Sequence, residues 1–334
     1  MQQLLKNTWY MAAWASELKD EMLTRRLLDM PMVLYRTQSG EPVLMRDRCP
    51  HRFAPLSRGR IDGDLIECGY HGLKFDKHGQ CVAGFFSGTA SSAVKAESFT
   101  VVEQDTIIWF WPGDADKADP SLIPRFGYLS DPEYKTVDGL SVVKAYYELL
   151  TDNLMDLSHI EFLHPAFGGV LADGKFITKR DGSAIYSNWW AENVPPTGAI
   201  QLWWPENRGR IDHWLDMRWN APASMLLHVG ATHPGEPREE GLYQPSVHIL
   251  TPETMDRTHY FWNAGMPKDN HLDMKEIGRL FALSFDEEDA PMIEAIQREV
   301  GDADVLDLSP ALLKIDAGAV LVRRELQKML ASET

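Results

Sequence analysis

The stretch DRCPHRFAPLSRGRIDGDLIECGYHGLKFD, residues 47–76, decides how this chain is read. It holds Cys49-Pro50-His51 and, after sixteen intervening residues, Cys68-Gly69-Tyr70-His71. Each half lies at a turn beside a strand-like segment. Working outward, MVLYRT, EPVLMRD, LKFDK and TIIWFWPG carry β-branched and aromatic residues, and QSGE, RIDGDL and DKHGQ punctuate them. Residues from about 30 to 112 therefore predict an all-β module with tight turns. The Pro- and Asp-rich run Pro112–Pro124 predicts a linker, which sets domains at 1–115 and 116–334.

Beyond the linker the texture changes. Tyr146–His164 has helical apolar spacing with no Gly or Pro and predicts one helix. Strand-like segments return from about 175 to 265, AIQLWWP at 199–205 among them. A long helical stretch, 274–300, and a closing helix in IDAGAVLVRRELQKMLA follow. The fold class is α+β, an all-β module ahead of a mixed one.

Two thiolates and two imidazoles are the ligand set of a Rieske [2Fe–2S] centre, one iron taking both sulfurs and the other both ring nitrogens. The rival is structural zinc. Zinc fingers group Cys with Cys and His with His, whereas here each pair mixes the two, which suits a cluster clasped by two loops. Cys81 has no His partner at either spacing and reads as a small buried hydrophobe. His78, in the turn DKHGQ, reads as solvated.

Composition narrows the rest. Of 334 residues, 44% are hydrophobic and 25% charged, with a net charge of −16. That balance argues against a general binder of nucleic acid or anionic membrane. The N-terminus lacks the basic and apolar regions of a secretory signal, and no apolar run reaches the ~18–20 residues that span a bilayer. A cytoplasmic protein is expected. Three cysteines are too few for a disulfide framework.

A second metal site is suggested by Asn153, Asp156 and His159, spaced by three and hence on one face of a helix, with His164 five residues further. A distorted turn, or a helix ending before Pro165, brings both rings to one ion. Two His and one carboxylate form the facial triad of non-haem Fe(II) oxygenases, with positions left open. The carboxylate must come from elsewhere. Any of Asp286, Glu287, Glu288 and Asp289 qualifies; helical spacing favours Asp289, whose i−4 and i+4 neighbours are Phe285 and Ile293, while Glu287 looks at water.

DRCPHRFAPLSRG with CGYHGLKFD resembles the Rieske motif of the aromatic-ring oxygenases, and NLMDLSHIEFLH (153–164) resembles their catalytic motif. KNTWY, PGD, ILTPET (249–254) and LLKIDAGAV resemble the vanillate O-demethylase and dicamba monooxygenase branch. The resemblance implies an N-terminal all-β Rieske domain and a C-terminal antiparallel-sheet catalytic domain with helices, helix-grip-like. It implies that Cys49, His51, Cys68 and His71 hold the cluster, and that His159, His164 and Asp289 bind mononuclear Fe(II). EEDAPMIEAI is similar rather than identical to the family pattern, and its Pro291 disturbs a regular helix. The resemblance further implies a homotrimer in which Asp156 links His159 to His71 of the neighbouring copy, with Asn153 one turn earlier in a supporting place.

The implied reaction draws electrons from NADH through a separate flavin- and ferredoxin-containing reductase. One oxygen atom of O2 enters the substrate and the other leaves as water. A methoxy group so hydroxylated collapses to phenol and formaldehyde, so a methoxybenzoate is the expected substrate, with ring or methyl hydroxylation and N-demethylation as alternatives. A pure Rieske electron carrier is the reading from another class; it leaves the second module without a purpose. No G-x-G-x-x-G unit follows a strand, so NADH is not expected to bind here. Six of the eleven Trp lie in 187–219, a density that suits either an aromatic ligand or a core. His248 is the candidate substrate contact, as in the dicamba type. Arg218 is either a partner for a substrate carboxylate or a structural ion pair.

Overall fold

The structure, a computed structural model, describes residues 3–84, 94–207 and 209–333. It divides into two compact units, Lys6–Ile123 and Pro124–Thr334, the latter together with Met1–Leu5.

The first unit is all-β, as expected. Strands β1 (Tyr10–Trp14), β2 (Leu23–Leu27), β3 (Met30–Arg36) and β4 (Pro42–Arg46) join β9 (Ser98–Gln104) and β10 (Ile107–Trp111) in a six-stranded sheet of order β1-β10-β9-β4-β3-β2. Between β4 and β9 the chain leaves for a small sheet of β5 (Arg60–Asp62), β6 (Leu65–Glu67), β7 (Lys74–Phe75) and β8 (Cys81–Ala83). Both Cys-His motifs lie on loops bordering this small sheet. Gly59, just before β5, allows a close approach: a Cβ there would stand 1.8 Å from the Glu67 carbonyl oxygen. Cys81 is buried and His78 exposed. The segment Pro112–Pro124 is not featureless, because Asp114 and Asp119 cap short 3-10 turns at Ala115–Lys117 and Pro120–Leu122.

The second unit is built on a seven-stranded antiparallel sheet of order β11-β17-β16-β15-β14-β13-β12. Its strands are β11 (Tyr134–Val143), β12 (Lys175–Asp181), β13 (Ala184–Val194), β14 (Ile211–Asn220), β15 (Ser224–Thr232), β16 (Leu242–Thr254) and β17 (Arg257–Pro267). Alternation sorts β14: His213, Leu215 and Met217 wall a cavity, while Asp216 and Arg218 occupy the other face. The helices α1 (Tyr147–Met155), α2 (Ile160–Leu163), α3 (Gly198–Trp203), α4 (Met274–Ala282), α5 (Ala290–Val300) and α6 (Ala317–Glu333) complete the unit. Phe281 and Phe285 pack against Trp262 of β17, ring centroids 5.9 and 5.8 Å apart, which seats the late helical stretch on the sheet.

Two sequence expectations change here. AIQLWWP is not a strand: Thr197 caps Ile200 N–H and residues from Gly198 to Trp203 form α3. The single helix over Tyr146–His164 is broken at Asp156, whose φ of −103° and ψ of 92° are extended.

Helix α6 is fastened to α1 by one buried cation. Arg323, 4% exposed, donates to Asp152 at 2.7 Å, to Glu148 at 2.7 Å and to Asp304 at 3.3 Å. Burial pushes Glu148 up to about 7, against the pull of Arg323. Folded Glu148 thus holds its proton more tightly than the unfolded chain does. Its contribution to stability falls as pH rises from the ordinary carboxylate range through about 7. Arg323→Met strands three carboxylates and is expected to cost about 3–5 kcal/mol in a urea unfolding titration at neutral pH. A change within ±0.5 kcal/mol would show that the cluster is not what holds α6.

Candidate metal centres and substrate cavity

The two cysteine loops are copies of one turn. Cys49 N–H donates to Ala54 O and Phe53 N–H to Cys49 O, at 2.8 and 2.9 Å. In the second loop Cys68 N–H donates to Leu73 O and Gly72 N–H to Cys68 O, at the same distances. Phe53 and Gly72, at matching positions, both have positive φ, 61° and 67°. This repetition brings the four side chains together although the spacers differ. Both cysteines are buried and unbridged, His51 is exposed, and His71 is half-buried. The two imidazoles lie 4.6 Å apart between centroids. Phe53 and Tyr70 stand out beside them, 61% and 63% exposed.

Burial pushes the Cys49 thiol up to about 11; the backbone N–H of His51 works against that and the Cys68 thiol adds to it. Two adjacent buried thiols and two more exposed imidazoles fit the ligand set that would hold a [2Fe–2S] cluster. Binding the metal supplies the free energy that expels those protons.

The second site is assembled by two irregularities. Where α1 ends, Asp156 turns the chain and caps the next turn, accepting from Ser158 N–H at 2.9 Å and Ser158 Oγ at 2.6 Å. A 3-10 turn, Leu157–His159, and α2 follow, and α2 ends at His164 before Pro165. Asn153, Asp156 and His159 therefore do not share one regular helical face. The break instead lets the His159 and His164 rings approach to 5.2 Å between centroids. The second irregularity is a π turn, Leu283–Asp289, joining α4 to α5. Pro291, in the first turn of α5, has no N–H to give the carbonyl four residues back. The wider turn accommodates this, closed by Ala290 N–H to Phe285 O.

The π turn separates the four acids. Asp286 and Glu287 are exposed, whereas Asp289 is 3% exposed. Asp289 Oδ1 lies 3.3 Å from His164 Nε2 and 3.6 Å from His159 Nε2, and it accepts from Asn153 Nδ2 at 3.3 Å. Ligand atoms of His159, His164 and Asp289 all lie within 4.8 Å of one another. The other ring nitrogens are occupied. His164 Nδ1–H donates to Glu288 Oε2 at 2.6 Å, and His159 Nδ1–H donates to the main-chain carbonyl of Asp156. In the neutral rings this tautomer leaves each Nε2 lone pair facing Asp289, the arrangement a metal requires. The expected hold of Asp156 on His159 is thus made by its carbonyl, not its carboxylate. Burial pushes His159 down. For His164 burial opposes the charge, but the hydrogen bond and charge of Asp289, with those of Glu288, outweigh it and raise the value.

A cavity of about 80 Å³ opens beside these three side chains. Its walls are largely apolar, with Leu154, Leu157 and Phe167 near the histidines and Leu215, Met217 and Val229 from the sheet. His248, on β16, lines it too, 2% exposed, between Tyr260 Oη at 2.7 Å and Ser246 Oγ at 3.0 Å. Burial pushes His248 down to about 3 and His213 to about 4, so both are neutral.

The tryptophan-rich stretch is not the cavity. Of its members Trp203 lines it, Trp189 and Trp219 are core, and Trp214 stacks under Arg238. Arg218 does not line it either; it donates to Arg125 O at 2.9 Å on the sheet's other face.

Residues 143–332 match the vanillate O-demethylase oxygenase C-terminal domain, and residues 8–108 match the Rieske [2Fe-2S] domain. The chain belongs to the Rieske oxygenase components of the vanillate O-demethylase family. It is 37% identical to the oxygenase component of dicamba O-demethylase from Stenotrophomonas maltophilia, covering 97% of both chains. It is 33% identical to a vanillate O-demethylase oxygenase subunit from a Pseudomonas species, over 98% of this chain and 95% of the other. The crystal structure of dicamba monooxygenase bound to 3,6-dichlorosalicylic acid superposes with a TM-score of 0.92, at 36% identity and 98% coverage of each chain. Dicamba monooxygenase has also been solved with non-haem iron and dicamba.

This Rieske oxygenase is an oxidoreductase that uses a [2Fe–2S] cluster and mononuclear iron, and it is one component of a system that needs a reductase. The electron-carrier reading falls, because the matched catalytic domain fills most of the second unit. Among the described residues no helix is long and apolar enough to cross a membrane.

Glu288 is the functional residue that sequence reasoning left among four alternatives without a task of its own. Its contact with His164 predicts that Glu288→Ala lowers affinity for the mononuclear iron by about 10–100-fold, read by Fe(II) titration of metal-depleted protein. Unchanged affinity would mean that the pair orients nothing.

Proposed function

We propose that this oxygenase O-demethylates a methoxy-substituted aromatic compound, releasing formaldehyde, with electrons from NADH delivered by a separate flavin/ferredoxin reductase. One observation carries the reading: three converging ligand atoms at the edge of a largely apolar cavity. Cys49, Cys68, His51 and His71 would hold the cluster, and His159, His164 and Asp289 the iron. When bound, these groups supply single-electron storage and the activation of O2.

The chain's own residues do the rest. Glu288 and the Asp156 carbonyl keep both imidazoles in the ligating tautomer. Leu154, Leu157 and Phe167 keep water from the reacting carbon. His248, fixed by Tyr260 and Ser246, orients the ring from the facing wall. Asp156 has a second carboxylate oxygen with no partner among the described residues, which suits a bond to His71 of a neighbouring copy in a homotrimer. A cytoplasmic location completes the reading.

Methoxybenzoates are the first substrates to screen, with their uncharged analogues alongside. With reductase and NADH, the expected result is formaldehyde in proportion to the demethylated phenol. Iron-loaded enzyme that oxidises methoxyarenes without releasing formaldehyde would replace O-demethylation by ring or methyl hydroxylation.

A further inference from the structure

Three residues on one strand, Gln244, Ser246 and His248, alternate onto the same face of β16 and line the cavity. Side chains two residues apart on one strand stand about 6–7 Å from each other. All three are buried, and their hydrogen bonds can be counted.

Tyr260, His248 and Ser246 form a chain of two hydrogen bonds and bring three hydrogens to it: one phenolic, one on the neutral ring, one on the serine. One hydrogen is left over. Tyr260 does not line the cavity, and its hydroxyl has no other partner among the described residues; its hydrogen must go to His248 Nδ1 or be wasted in the core. Nε2–H then donates to Ser246 Oγ, and the spare donor of the chain is the Ser246 hydroxyl. His248 spends its own N–H inside the wall.

Gln244 supplies the complement. Its Nε2 donates to Pro245 O at 2.7 Å. A carbonyl only accepts, so the amide cannot be reversed. Oε1 is buried without a partner among the described residues. These three residues thus offer one spare donor, Ser246 Oγ–H, and one spare acceptor, Gln244 Oε1, in largely apolar surroundings. No Lys or Arg stands among the described residues that line it.

Building on the O-demethylase reading, we infer that Ser246 and Gln244 select an uncharged aromatic substrate with a donor–acceptor substituent of the carboxamide kind, rather than a carboxylate. A carboxamide gives its N–H to Gln244 Oε1 and accepts from Ser246 at its carbonyl. A carboxylate of the same shape sets an anionic acceptor against Gln244 Oε1 where no Lys or Arg side chain among the described residues lines the wall to pair with it, and burial of an unpaired charge is costly.

The test is calorimetric titration of the metal-loaded, anaerobic enzyme, without reductant, using 4-methoxybenzamide and 4-methoxybenzoate. The amide is expected to bind at least about tenfold more tightly. Gln244→Leu should erase that difference, and Ser246→Ala should weaken both ligands. Equal or tighter binding of the acid, or saturation by neither probe, overturns the inference; the wild-type comparison needs no variant to fold. A persisting tenfold preference in folded Gln244→Leu overturns it as well. Tight amide binding that yields no formaldehyde with reductase and NADH leaves this inference standing and removes the O-demethylation reading instead.

Discussion

Replacing His159 by Ala is expected to take away the mononuclear iron and all turnover while leaving the absorption and EPR signals of the cluster intact. His159 provides one of three converging ligand atoms, and its ring is half of the 5.2 Å pair that faces Asp289. Losing a ligand should exceed the roughly 10–100-fold penalty that follows loss of a group behind a ligand. The cluster loops belong to the other compact unit and contain their own hydrogen bonds, so they should load normally. Iron analysis should fall from about three to about two per chain, with sulfide constant. Normal turnover by this variant would remove His159 from the iron site.

The second large effect is expected from Asp156→Asn. One carboxylate oxygen caps the turn at Ser158, and an amide oxygen can do the same. The other oxygen has no partner among the described residues. In the amide that atom becomes an NH2 group, which cannot accept from an imidazole N–H. Both metals should therefore stay bound while electron passage slows. Stopped-flow oxidation of the pre-reduced cluster, with substrate and O2, should be slower by about 10–100-fold. An unchanged rate would exclude the proposed link to His71, and loss of the mononuclear iron would show that Asp156 serves only to shape the turn.

What the sequence revealed and what it hid follow from the range of the interactions. The cluster motif was legible because each loop presents its ligands within three residues and closes on itself by hydrogen bonds to near neighbours. The division into an all-β module and an α+β module was legible from turn punctuation and periodicity. The helix break at Asp156 was not, because no Gly or Pro marks it; Asp156 followed by Ser158, a capping pair, was the available signal. Asp289 was reached from its apolar face, but Glu288 was not given its partner. A 3.6-residue period cannot represent a π turn, and His164 lies 124 residues away in the chain. The tryptophans stayed open between ligand and core for a related reason. Their alternation along β13 and β14 serves both faces of a wide sheet, and the tryptophan of this stretch that meets the cavity, Trp203, stands on α3 instead. AIQLWWP looked like a strand by composition, while Thr197 after two prolines signalled the helix that forms.

The most direct test of two iron centres in one chain is iron and acid-labile sulfide analysis of anaerobically purified protein, with an EPR spectrum after dithionite reduction. About three irons and about two sulfides per chain, with a Rieske-type reduced signal, are predicted. Zinc without sulfide, and no such signal, would contradict the account from its first motif onward.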